Sequence, residues 1–446
     1  MKAGTLKQVV AYASPAMATA FILNPVWSIL PGVYAKDYGF DLALLGSIVL
    51  IARVFDAITD PVIGYLSDRR RESGGKRGNW VLLGGSFFVI ASSLLYMPTL
   101  PVSEGKVLFF FLLFFLSYTI IDIPHYSWGS EISTDYDARA YTYSIRTAFV
   151  FCGQILFYLI PLVTGEGEYN AETLRFAVFF GAVLMAATLF FSRHFAPDKA
   201  RESRSLPRRP YGRVWRLITG NLPLLIFVAS FLLAGMSLGM WWGLQFIYLD
   251  SYLKLGDKIP IIFITGDVAG LLAIPLWFLL VRRTSKRFAM LFGIVLNVVM
   301  ILACLLVSPG VSWLAPLVIV VGVAMASSNL NVVYPAMVAD IADYGELKFR
   351  RDVRATYFAV VLLTYKCAFG AGSGLALYIL GRAGFDPAAG EQDAAAILGL
   401  QIAFVLMPVL LAVSACVFVA LAPISKARHS IISKRLNREP SMLAES

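Results

Sequence analysis

The stretch IARVFDAITDPVIGYLSDRR, residues 51–70, decides how the whole chain is read. It lies in apolar sequence, yet it sets Arg53, Asp56 and Asp60 where a helix would sit in hydrocarbon. At about 100° per residue, positions 53, 56, 60 and 64 share one stripe, so the three charges form a face ending at Gly64 that must look into protein or a cavity. Two carboxylates one turn apart repel in a low dielectric. One of them has to be protonated, paired with Arg53 or bridged by a cation.

The sequence around this stretch belongs to a membrane. Of 446 residues, 58% are hydrophobic, 13% aromatic and only 15% charged. Runs long enough to cross a hydrocarbon core of roughly 30 Å recur near 10–36, 42–67, 79–100, 106–131, 143–165, 173–193, 221–250, 258–281, 287–308, 312–342, 355–381 and 395–423. The expected fold class is therefore an all-α membrane protein with twelve transmembrane helices; a barrel would show short alternating segments instead. The first run is too long for a cleavable signal peptide and lacks a small-residue cleavage site, so it reads as the first span. Cys152, Cys304, Cys367 and Cys416 are scattered through the spans without metal or redox spacing.

An even number of spans puts both termini on one side. Lys2, Lys7, Arg69–Arg71, Lys76, Arg77, the arginines of 201–216, Arg282, Arg283, Lys286, Arg287, Lys348, Arg350, Arg351 and the basic tail all fall in one set of loops. By the positive-inside rule that set, with both termini, is cytoplasmic, which accounts for the net charge of +10 without any nucleic-acid partner.

The polar stretch 192–216 divides the chain into two six-span halves: an N-terminal bundle 1–195, a middle loop 196–218, a C-terminal bundle 219–425 and a tail 426–446. An internal repeat supports the division. PHYSWGSEISTDYDARAYTY closes the fourth span and PAMVADIADYGELKFRRDVRATY the tenth, with Asp135-Tyr136 matching Asp343-Tyr344. Two six-helix bundles related as parallel repeats are the major facilitator architecture, in which the substrate site lies between the halves near the midplane. The loop GYLSDRRRESGGKR (64–77) resembles that superfamily's signature loop, with Gly64, Asp68, Arg69 and the basic end Lys76-Arg77. Gly64 would permit close helix packing, while Asp68 and Arg69 would cap or pair when the cytoplasmic side is shut; alternatively the loop is a solvated basic turn that only sets topology. Glu131, Asp340 and Asp343, with Arg139, Arg351 and Arg354, are expected to form further gating ion pairs.

Other intramembrane charges extend the first stripe. Thr119, Asp122 and Tyr126 share a face of the fourth span with His125 beside them, Arg146 lies in the fifth, and Lys366 lies inside an apolar run of the eleventh. Three cations (Arg53, Arg146, Lys366) balance three carboxylates (Asp56, Asp60, Asp122). Such groups mark a transport pathway or else glue helices together as static pairs. Asp267, between Gly266 and Gly270, either lines a cavity or pairs locally.

RVFDAITDP (53–61), TIIDIPHYS (119–127) and MVADIADYGE (337–346), followed by Lys366, resemble the melibiose-permease group, the glycoside–pentoside–hexuronide:cation symporters of the major facilitator superfamily. The resemblance implies that Asp56 and Asp60, with Thr119 and the neighbouring Thr59, bind a coupling Na⁺ or H⁺, and that Arg53 and Lys366 organise that site. It further implies that Asp122 and Arg146 contact a sugar. Three departures alter the sugar half of the site. The first span has no acid between residues 13 and 34, Tyr126 stands where the family has a stacking tryptophan, and Asn331 stands where it has another. Tyr126, His125, Trp128, Trp241, Trp242 and Tyr248 are candidates to compensate; aromatics at such spacing equally serve as packing.

The resulting expectation is a sodium- or proton-coupled symporter in the cell membrane, carrying a glycoside, a sugar acid or a similar polar solute by alternating access. Its partners are a small-molecule substrate and membrane lipid, its transport unit is a monomer, and it has no cofactor beyond the coupling ion. Arg146 and Lys366 are compatible with an anionic solute such as a glucuronide. A lysolipid or other amphipathic solute is the alternative, compatible with the missing first-span acid and 32 phenylalanines, and a non-transporting sensor or scaffold is a third reading. No phosphate-binding loop, metal-ligand spacing or nucleophile elbow points to an enzyme.

Overall fold

A computed structural model describes residues 5–98, 102–132, 136–198, 211–349 and 354–421, without the side chains of 130, 136–140, 211–214, 354 and 355. Twelve helices among these residues are long and apolar enough to span a membrane. They are α1 (Leu6–Tyr38), α2 (Leu42–Glu72), α3 (Arg77–Tyr96), α4 (Glu104–Gly129), α5 (Tyr141–Thr164), α6 (Ala171–Phe195), α7 (Leu222–Tyr252), α8 (Gly256–Arg283), α9 (Lys286–Leu306), α10 (Leu314–Phe349), α11 (Thr356–Arg382) and α12 (Ala394–Leu421). The described chain contains no strand, and each span overlaps its expected counterpart.

Local chemistry explains the less regular helices. α1 contains Pro15, Pro25 and Pro31, each of which removes an intrahelical donor. The carbonyl of Ala11, which Pro15 cannot reach, accepts from Ser14 Oγ at 3.0 Å, so the defect is repaired inside the membrane, as it must be where water is absent. Asp41 caps α2 through Leu44 N, and Asn170 caps α6 through Thr173 N. α10 is interrupted by a 3₁₀ turn at Ser328–Asn331. Hydropathy alone misses the break, although the polar run SSNLN marks it.

The chain forms two compact units: Met1–Leu206 with Gln245–Ile261 and Leu377–Asp393, and Pro207–Leu244 with Ile262–Ala376 and Ala394–Ser446. In the first, α1 packs on α5 where Gly153 lies against the Met17 carbonyl, and α3 packs on α4 where Gly84 lies against the backbone of Ile120 and Ile121. In the second, α7 packs on α11 in the corresponding way, with Gly239 against Phe369 and Gly372 against Met236. Small residues let membrane helices approach backbone to backbone, where van der Waals contact replaces a weak hydrophobic drive. A side chain at Gly153 would meet rigid backbone. Gly153→Val is therefore expected to cost about 1–3 kcal/mol and lower the melting temperature of the detergent-solubilised protein.

Gly64 behaves differently from its expected packing role. A Cβ there would make only ordinary contact with Ile123, at 3.8 Å, so no close approach requires glycine at this position in this structure.

Candidate functional site

The charged face of α2 is tolerated because the first unit surrounds each charge. Arg53 is 4% exposed and Asp56 2%, and Arg53 Nη1 lies 3.4 Å from Asp56 Oδ2. The guanidinium is also held between two rings, 4.0 Å from Trp27 and 3.7 Å from Phe115, a cation–π environment that offsets part of its lost hydration. On the other side, Thr119 Oγ1 of α4 lies 2.9 Å from Asp56 Oδ1 and 2.9 Å from Asp60 Oδ1. A hydroxyl carries one proton, so it donates to only one carboxylate at a time. The other oxygen then faces a lone pair, an arrangement relieved by a proton on that carboxylate or by a cation among the three oxygens.

Thr59 is near this cluster, but its hydroxyl turns back to the Asp56 carbonyl at 3.3 Å. Lys366 is half-buried on α11 in the second unit.

One turn along the same face of α4, Asp122 Oδ1 pairs with Arg146 Nη2 of α5 at 2.7 Å. Both side chains retain some exposure, 28% and 15%, while the buried Arg146 Nε has no hydrogen-bond partner. Tyr126 lies 5.3 Å from the guanidinium centre and is 48% exposed, with Tyr143 packed against it at 4.8 Å. A free donor, a carboxylate and an open aromatic face converge here, which suits hydroxyl-bearing ligands.

Trp128 and His125 are placed otherwise. Trp128 is 2% exposed and donates through Nε1 to the Pro197 carbonyl at 2.9 Å. His125 is 1% exposed, 2.7 Å from the Tyr12 carbonyl and packed on the Tyr12 ring at 4.8 Å. These contacts give both side chains a packing role. Trp241 is likewise buried, stacked on Phe404 at 4.3 Å in the second unit.

The α2–α3 turn carries an ion network that the sequence shows only in part. Arg71 lies 2.6 Å from Glu131 and 3.7 Å from Asp198; Arg77 lies 3.2 Å from Glu131 and 2.5 Å from Asp68. Asp198 also accepts from Gly78 N at 2.8 Å. Asp68 and Glu131 thus take part in ion pairs, but their partners are Arg77, read as the basic end of the signature loop, and Arg71, read as a topology signal. Arg69 is exposed and pairs with no acid among the described residues. In the second unit Asp340 pairs with Lys286 at 2.7 Å, and Asp343 lies on the same helix. The side chains of Arg139 and Arg354, together with Arg351 and Asp135, lie outside the described residues. Glu131→Gln removes the charge shared by two buried arginines and is expected to destabilise the protein by about 2 kcal/mol, read as a lower melting temperature.

A second cluster went unforeseen. In the first unit Lys36 pairs with Asp250 at 3.0 Å and approaches Glu168 at 3.7 Å, and Asp37 accepts from Ala171 N at 2.8 Å. The signal in the sequence was an acid, Asp250, at the end of an apolar span, which the structure leaves 4% exposed. Asp267 is half-buried, and its Oδ2 has no hydrogen-bond partner.

The comparisons agree with this architecture. A profile described as MFS/sugar transport protein matches residues 11–426. The chain belongs to that family. It is 25% identical to the inner membrane symporter YicJ of Escherichia coli (strain K12), over 99% of this chain and 95% of the relative. It is 25% identical to an isoprimeverose transporter of Lactiplantibacillus pentosus, over 84% and 80% of the two chains. Among solved structures, the nucleoside transporter NupG superposes with a TM-score of 0.68 at 12% identity, covering 94% of this chain and 100% of that one, which shows a shared fold. This family member is a multi-pass membrane transport protein and not an enzyme, and the glycoside–pentoside–hexuronide resemblance read from its motifs is borne out.

Proposed function

We propose that the symporter couples Na⁺ or H⁺, bound at Asp56, Asp60 and Thr119, to the movement of a neutral glycoside bound at Asp122, Arg146 and Tyr126. The observation that carries the cation half is the single Thr119 hydroxyl 2.9 Å from two carboxylates, which brings three hard oxygen ligands together on two facing helices. The two sites share α4, with Thr119 and Asp122 one turn apart. A cation that fixes Thr119 therefore acts on the same stretch of helix that presents Asp122, a short route for reciprocal coupling.

The Asp122–Arg146 pair bears on the solute. Its charges already meet at 2.7 Å, so the site is close to neutral and offers hydrogen bonds in preference to net attraction for an anion. This favours a neutral glycoside over a sugar acid, and the similarity to an isoprimeverose transporter supports the same solute class. Alternating access then follows from occupancy: the cation relieves repulsion between the α2 carboxylates, and the solute engages the α4–α5 pair.

Uptake of a labelled β-glycoside into proteoliposomes, driven by an imposed Na⁺ or pH gradient, tests the reading. Uptake is expected for neutral glycosides under one of the two gradients. Uptake of a glucuronide alone would replace the neutral solute by a sugar acid, and uptake of a lysolipid alone would move the solute to the amphipathic class. No gradient dependence for any of them would remove the coupling.

A further inference from the structure

The turn between α2 and α3 sorts its cations into two kinds. Arg71 and Arg77 are buried and bonded to Glu131, Asp198 and Asp68. Arg69, Arg70 and Lys76 are exposed, and among the described residues none makes an ion pair or side-chain hydrogen bond. These three unpaired cations surround a cleft of about 580 Å³ whose other walls include Leu66, Trp80 and Leu83. The cleft is thus strongly cationic at one side and apolar at the other. Neither nearby acid lines it: Glu72 and Asp68 are absent from its walls, and Asp68 is paired with Arg77.

The apolar side continues along the helix. Trp80 and Leu83 begin a row at helical spacing on α3 that proceeds through Phe87, Ile90 and Leu94, and the last four residues are 49%, 45%, 55% and 39% exposed. From residue 83 to residue 94 a helix rises about 16 Å, close to the depth of one leaflet's hydrocarbon. A soluble anion would use the cations and leave this row bare. A molecule with a phosphate head and a long acyl chain would use both.

We propose that this cleft binds the headgroup phosphate of an anionic phospholipid from the adjoining leaflet, with Arg69, Arg70 and Lys76 on the phosphate, Trp80 at the interface and an acyl chain along Leu83–Leu94. Basic pockets between helices at a membrane surface recognise such headgroups by charge complementarity, and a tryptophan at that depth suits its amphipathic ring. The site stands apart from Asp56, Asp60, Asp122 and Arg146 and does not depend on their assignment.

The test is the melting temperature of the full-length protein in detergent micelles doped with dioleoyl-phosphatidylglycerol or dioleoyl-phosphatidylcholine, alongside inorganic phosphate or glycerol 3-phosphate. Phosphatidylglycerol is expected to raise it by about 3 °C or more above phosphatidylcholine, the two soluble anions are expected to do nothing, and R69Q/R70Q/K76Q should lose most of the rise. Should the triple variant fold poorly, K76Q alone is expected to lose part of the rise. Quenching by phosphatidylglycerol with brominated chains gives an independent reading, because W80F should remove a component of it. Equal melting temperatures in the two lipids, a full phosphatidylglycerol effect in the variants, or the same rise from inorganic phosphate would each overturn the proposal.

Discussion

Asp60→Asn is expected to lower cation-driven uptake by about 100-fold or more, the loss of roughly 2.7 kcal/mol of cation binding, while the protein stays folded. The two helix-two acids differ in burial and in their contact with Arg53. Asp60 is half-buried and approaches Thr119, whereas Asp56 is 2% exposed and also faces Arg53. Neutralising Asp60 removes an anionic ligand from the less buried side of the cluster, so its cost in stability should be smaller than that of Asp56→Asn. Asp56→Asn instead deprives a buried arginine of a carboxylate 3.4 Å away, at a cost of about 3 kcal/mol, so here stability and uptake fall together. Uptake and melting curves measured on both variants separate the cases: parallel behaviour of the pair would contradict distinct roles for the two acids.

Arg146→Gln should weaken solute binding by about 100-fold, again near 2.7 kcal/mol, with cation binding retained. The guanidinium supplies both the 2.7 Å contact that orients Asp122 and the unpartnered Nε donor. Glutamine can restore one neutral hydrogen bond but neither the charge nor the fork. Ligand-induced stabilisation at saturating cation measures this directly. A static pair that only holds α4 to α5 would behave otherwise, with Arg146→Gln lowering the melting temperature and leaving solute affinity alone.

The spans were legible in the sequence because length and hydropathy are local properties. So was the α2 charge stripe, since the positions of Arg53, Asp56, Asp60 and Gly64 follow from helical geometry alone. The partners of those charges were harder to read. Thr119 is 63 and 59 residues from the two acids it approaches, and the rings that enclose Arg53 come from α1 and α4. No local period reports such contacts. The same limit explains Arg71 and Arg77, indistinguishable from Arg69 and Arg70 in a run of basic residues until Glu131 and Asp198 are brought to them. It also explains Trp128, whose spacing was compatible with a sugar platform but whose indole is taken by Pro197.

The central claim is that Asp56, Asp60 and Thr119 bind the coupling cation, and solute-free titration of the melting temperature with Na⁺, Li⁺ and acid, in the parent protein and in Asp60→Asn, tests it most directly. Mass action requires that a cation bound only by the folded state raise its stability with concentration. The account predicts that at least one of the three cations stabilises the parent and that this dependence is flattened in Asp60→Asn. An unchanged dependence in the variant would place the cation site elsewhere in the chain.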